Sequence, residues 1–193
     1  MPEYSEKQKA LEDRIGYEFS NKDLLVEALT HPSYGDGRKG IIHYERLEFL
    51  GDRILNFLTA ELLFQEARLK EGDMARKLNS LVRKECCACV ATSIELGAAL
   101  FMSDAEERND GRNKISILGD SCEALFAAIY LDGGEQAVRK FYKENWVIHY
   151  DKAMESSQKD PKTALQELSV MRGFGTPQYK ICLLYTSPSP RDA

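Results

Sequence analysis

Residues 1–155 are predicted to form an all-α domain, and three observations carry that prediction. Apolar side chains recur at helical spacing in one segment after another, no stretch before Thr176 alternates apolar with polar residues, and the breaks between segments hold Pro, Gly, Asn and Asp. A chain of 193 residues holds one full domain plus a fragment. Its 43% hydrophobic and 30% charged residues are those of a globular protein, which excludes a disordered or collagen-like chain. No apolar run reaches the ~18–20 residues of a membrane helix, and the opening MPEYSEKQKALEDR is too charged for a signal peptide. The expectation is a cytoplasmic protein with no membrane partner.

Each element has its own signal. Ser20 followed by Asp23 resembles a cap for a helix over 23–30, where Leu24, Leu25, Ala28 and Leu29 share a face. His31-Pro32 through Gly37 breaks the chain into a loop that runs to about residue 42. A long helix follows over 44–67. Gly72-Asp73 opens another, with Met74, Leu78, Leu81 and Val82 on one stripe, and a Cys- and Ala-rich helix covers 84–96. Residues 103–114 are polar and read as a loop or short capped turn. The run 117–131 is helical, stopped by Asp132-Gly133-Gly134, and 135–152 forms the last helix of the domain. Residues 156–159 then form a polar linker. Asp160-Pro161 starts a helix with Ala164, Leu165 and Leu168 on its apolar side, ended by Gly173-Phe174-Gly175, and residues 178–181 open a strand. Residues 160–182 thus begin an α/β domain and leave it incomplete, and 183–193 read as a non-native-looking or disordered tail.

Charge and cysteines narrow the chemistry. Residues 156–193 carry five basic and three acidic side chains, leaving 21 basic against 28 acidic in 1–155. Such an acidic body does not hold a polyanion by charge alone, unless bound cations reverse the local sign. Cys86, Cys87 and Cys89 crowd one segment while Cys122 and Cys182 stand apart, which fits neither a disulfide framework nor a zinc site and suggests small buried apolar residues.

On the long helix Glu45, Glu48 and Asp52 fall at i, i+3 and i+7, within roughly 60° of arc, with Leu47, Leu50, Ile54 and Leu58 opposite. Alone, such a stripe is usually a solvated face. Two details count against that reading: no Lys or Arg lies one turn away along the stripe, and Phe49 points close to the same face, where a partner subunit is its simplest cover. Asp120 and Glu123 repeat the i, i+3 spacing beside Ala124, Ala127 and Ala128, which permit close helix approach. If the two helices pack together, Glu48, Asp52, Asp120 and Glu123 converge, a cluster that requires protons or cations. Oxygen-only ligands suit Mg²⁺ or Mn²⁺. No His follows a Glu by three residues, no H-E-x-x-H, P-loop or G-x-S-x-G occurs, and His31 reads as a loop or cap residue.

The stretch Tyr44-Glu45-Arg46-Leu47-Glu48-Phe49-Leu50-Gly51-Asp52 closely resembles the signature of bacterial ribonuclease III. The segments Ile117–Leu125 and Ile129–Gly134 resemble that family's second catalytic stretch, and Asp160–Leu168 the start of its double-stranded RNA-binding domain. Gly119 stands where the family often has Ala, and Tyr44 where Asn is frequent. The resemblance implies a homodimeric, Mg²⁺-dependent endonuclease (Mn²⁺ substituting) that cuts double-stranded RNA for rRNA and mRNA processing. It implies a two-metal mechanism that leaves 5′-phosphate and 3′-hydroxyl ends. It assigns Glu48, Asp52, Asp120 and Glu123 as metal ligands, Asp52 and Glu123 as catalytic, and Glu45 and Glu71 as accessory acids. It also assigns Phe49 as a dimer contact and Thr163, Gln166 and Glu167 as RNA-binding residues. Two other classes remain: a non-catalytic double-stranded RNA-binding or dimeric scaffold, which has no use for uncompensated carboxylates, and a helical nucleotide phosphohydrolase, which leaves residues 160–182 unexplained.

Overall fold

The computed structural model describes residues 2–35, 40–65, 69–147 and 161–175. The chain divides into two compact units, Met1–Ser157 and Gln158–Ala193. Among the described residues the first unit is helical throughout: α1 (Glu6–Ile15), α2 (Lys22–Ala28), α3 (Glu45–Gln65), α4 (Glu71–Leu81), α5 (Lys84–Ser93), α6 (Leu96–Ala99), α7 (Asp104–Arg108) and α8 (Ile115–Asn145). Short 3₁₀ turns at Pro32–Gly35 and Gly111–Asn113 join them, and the β-pairing present is one isolated bridge between Thr30 and Phe101. The second unit holds α9 (Pro161–Met171). The linker at 156–159, the strand expected at 178–181 and the tail at 183–193 lie outside the described residues.

Helix α8 is the axle of the first unit. Its residues Cys122 and Ala124 through Ile129 are fully buried, and α3 and α5 pack along it. At its far end Phe126 meets Phe141 and Trp146 edge to face, with ring centroids 5.0 and 5.6 Å apart. Below this stack the buried Tyr142 hydroxyl donates to Thr59 Oγ1 of α3 at 3.1 Å, so the polar tip of an otherwise apolar contact is satisfied. On α3, Leu47, Leu55 and Leu58 are buried, while Leu50 and Ile54 pack against the core from its margin.

Two sequence expectations are corrected here. Asn21, not Ser20, caps α2: its side chain accepts the Asp23 amide at 3.1 Å, because it directly precedes the first helical residue. The helix that starts at Ile115 breaks at Gly134 (φ 74°), as the Asp132-Gly133-Gly134 signal predicts, and a second helical stretch follows to Asn145. The Asp132 carboxylate accepts the Ser20 and Asn21 amides at 2.8 Å and the Tyr17 hydroxyl at 2.7 Å, tying the start of α2 to α8. Burial raises its proton affinity, but those donors outweigh burial and hold its pKa below the usual range. Finally, Cys87 and Cys122 are buried as expected and Cys86 partly so, but Cys89 faces solvent on the outer side of α5.

The polar segment 103–114 is a capped turn around α7. Ser103 Oγ accepts the Glu106 amide at 3.2 Å, and Arg112 closes the end of α6 by donating to the Gly97 and Leu100 carbonyls at 2.8 and 2.9 Å.

Candidate metal centre

The site is built by a missing side chain. Helix α3 crosses α8 so closely at Gly51 that a Cβ there would lie 1.7 Å from the Glu123 carbonyl oxygen and 2.5 Å from its carbonyl carbon. Backbone therefore lies on backbone, and the fully buried Ala124, Ala127 and Ala128 keep the α8 face shallow enough to permit it. Glu48 stands three residues before Gly51 and Asp52 one after it, so the crossing brings the acids of α3 against those of α8.

Glu48, Asp120 and Glu123 each offer a carboxylate oxygen within 4.8 Å of the others. Glu123 is nearly buried and its pKa is pushed up to about 7, first by burial and then by the negative charges of Asp52 and Glu48. The Cys87 thiol, 3.6 Å from Glu123 Oε1, and the Lys84 ammonium pull in the other direction. Burial and the charge of Asp120 likewise raise Glu48. Tyr44, buried under the cluster, is raised by burial and by Asp120 and Glu48.

The predicted residues are not all gathered. Asp52 is outside the close triad: its carboxylate pairs with Arg53 and accepts from Asn56 Nδ2 at 2.8 Å, although its charge reaches Glu123. Glu45 is exposed in the first turn of α3, where its charge bears on Glu48 and His43 Nδ1 lies 3.6 Å away. Glu71 opens α4 and lines an apolar groove with Phe57, Phe64, Met74 and Leu78, apart from the triad. Phe49 is 69% exposed, under the Arg53 guanidinium. Thr163, Gln166 and Glu167 lie on α9 of the second unit. His31 sits at a chain break as expected, with Nδ1 2.7 Å from Ser33 Oγ.

The expectation that the acids lack cationic partners is corrected. Arg53 reaches Asp52 from the adjacent position, and Lys84 at the start of α5 pairs with Asp120. Sequence reading gave Cys87 a packing role alone and passed over the exposed aromatics Phe57 and Phe64, whose signal is their fall at i+8 and i+15 from Phe49 on the same helix.

The donor set fits a hard divalent cation. It is all oxygen, and the buried Asp120 Oδ1 already meets a positive charge, the Lys84 ammonium. With a cation between them the three carboxylates no longer repel, and the centre can face a phosphodiester.

Comparison with known proteins places this geometry. The pattern of the ribonuclease-III-like family matches residues 21–149. The chain is 47% identical over 172 residues to Ribonuclease 3 of Caulobacter vibrioides (strain NA1000 / CB15N), covering 89% of this chain and 74% of that protein. It is 40% identical over 178 residues to Ribonuclease 3 of Campylobacter fetus subsp. fetus, covering 91% and 78%. The crystal structure of the nuclease domain of ribonuclease III from Campylobacter jejuni superposes with a TM-score of 0.67 at 38% identity, covering 79% of this chain and 97% of that one. A second structure of that domain describes flexibility in a region involved in dimer formation. Helical architecture, crossing acids and sequence all agree: the chain belongs to the ribonuclease III family.

Proposed function

We propose that the protein is an endonuclease that hydrolyses phosphodiesters of double-stranded RNA, leaving 5′-phosphate and 3′-hydroxyl ends, in the processing of cytoplasmic rRNA and mRNA precursors. The observation that carries this reading is the meeting of Glu48, Asp120 and Glu123 at the Gly51 crossing. Family membership supports the reading, since the Caulobacter and Campylobacter relatives carry the name Ribonuclease 3.

Glu48, Asp120 and Glu123, with Asp52 beside them, are the residues that would hold Mg²⁺ or Mn²⁺. Bound there, such ions supply Lewis-acid activation of a water and charge stabilisation of the leaving 3′ oxygen. The chain's own contribution is placement. Gly51 sets the spacing of the acids. Arg53 and Asn56 orient Asp52, and the near-burial of Glu123 keeps its carboxylate from being satisfied by bulk water. Without cations this acidic centre repels phosphate, so ion binding precedes productive RNA binding.

We place Phe49 at a homodimer contact. Its exposure, continued along α3 by Phe57 (58%) and Phe64 (78%), is a larger apolar face than a lone surface residue. We assign Thr163, Gln166 and Glu167 of α9 to the RNA, and Glu45 and Glu71 to accessory acidic roles.

The test of substrate class is to offer one preparation a long RNA duplex, the same sequence as duplex DNA, single-stranded RNA and nucleoside triphosphates, with Mg²⁺ or EDTA. Cutting confined to the RNA duplex with Mg²⁺, and 5′-phosphate products, is the expected result. Turnover of the triphosphates with the duplex untouched would contradict it, as would tight RNA binding without any cutting.

A further inference from the structure

The acid cluster already has a cation of its own. Lys84, the first residue of α5, sends its ammonium against Asp120 Oδ1, and the two form an ion pair with Asp120 mostly covered and Lys84 half exposed. Asp120 Oδ1 is buried, and the Lys84 ammonium is the charge that balances it. The same positive charge bears on Glu48 and Glu123, opposing the upward shift of both. Lys84 therefore stands at the cluster as a whole rather than at one surface carboxylate.

A second feature makes room for it. A Cβ on Gly119 would lie 2.5 Å from Lys84 Cγ and 3.2 Å from the Lys84 carbonyl oxygen. Gly119 precedes Asp120 directly, so the bare α8 backbone at that point is the slot along which the lysine stem reaches the carboxylate. A methyl group there would push the stem aside while leaving every charge in place.

We propose that Lys84 is a resident competitor for the metal centre: it holds Asp120 in the metal-free protein and must yield it when a divalent cation binds. This rests on the reading of Glu48, Asp120 and Glu123 as metal ligands. The lysine lowers the repulsion that would otherwise load the empty centre, and it raises the ion concentration needed to fill it. Because its ammonium is half exposed and screened by water, the competition is moderate, about three- to tenfold in metal affinity.

Calorimetric titration of the full chain with Mn²⁺ tests this, using wild type, Lys84→Gln, Lys84→Arg and Gly119→Ala, with melting curves in EDTA for each. Lys84→Gln and Gly119→Ala are expected to bind Mn²⁺ more tightly than wild type by that factor, and Lys84→Arg about as wild type. Lys84→Gln should also melt lower in EDTA, since the carboxylates then face one another uncompensated. A lysine with only a structural role would lower the melting point without tightening binding. Equal or weaker Mn²⁺ binding by both Lys84→Gln and Gly119→Ala overturns the competitor role. If wild type and all three variants, each folded, bind no Mn²⁺, the metal-centre reading fails and this inference with it.

Discussion

Gly51→Ala is expected to destabilise the protein by about 3 kcal/mol or more and to destroy the acid cluster at the same time. The added methyl would start 1.7 Å from the Glu123 carbonyl oxygen, so α3 and α8 must separate by roughly 1.5 Å to restore an ordinary contact. Neither side can yield locally, since both atoms belong to helix backbones packed in the middle of the core. Separation carries Glu48 and Asp52 away from Asp120 and Glu123 and opens the contacts of Leu47 and Leu55. Gly72→Ala is the control, because its new methyl meets nothing closer than Arg76 Nη1 at 4.0 Å, and a helical Gly→Ala change there should be neutral or stabilising by up to about 1 kcal/mol. Urea denaturation of both variants checks this. A Gly51→Ala protein as stable as Gly72→Ala would mean that the helices do not cross at backbone contact.

The second large effect is on pH. Glu123 has its pKa pushed up to about 7, well above the ordinary carboxylate value. A carboxyl that binds its proton more tightly when folded favours the folded state at low pH, and that advantage is lost as pH rises from about 4.5 through about 7. In EDTA the protein is therefore expected to lose on the order of 3 kcal/mol across this window, with Glu48 adding to the loss in the same direction. Carboxylates with lowered pKa, such as Asp132, titrate below it, so their contribution is already complete at about pH 5 and does not mask the trend. Mg²⁺ should reverse the slope, since a cation replaces the proton and its affinity rises as Glu123 ionises. Thermal melts from pH 5 to 8, in EDTA and in Mg²⁺, should show Glu123→Gln with neither the loss nor the reversal. Wild-type and Glu123→Gln curves that run parallel in EDTA would contradict the assignment.

The helices were legible because their apolar spacing is local, and so were the acids, whose i, i+3 repeats place them on single faces. The small residues Gly51, Ala124, Ala127 and Ala128 hinted that two such faces meet, but only the fold shows that the meeting point is the Glu123 carbonyl. Lys84 was invisible for the opposite reason: its partner Asp120 lies on another helix, and no pattern along α5 marks it. Arg53 was passed over because neighbouring helix positions diverge by about 100°, yet its long stem turns back to Asp52. Asp132-Gly133-Gly134 carried a true glycine signal, since the helix breaks at Gly134, but the hydrogen bonds from Tyr17, Ser20 and Asn21 give Asp132 a further task that local sequence does not reveal.

The most direct test of the acid centre is cleavage of a long RNA duplex at low salt with Mg²⁺, comparing wild type with Glu123→Gln of verified melting temperature. The expected result is cutting by wild type that EDTA abolishes, and a loss of about 10³-fold or more in the variant, equivalent to roughly 4 kcal/mol of transition-state stabilisation. A folded Glu123→Gln that cuts as fast as wild type would show that the chemistry lies elsewhere.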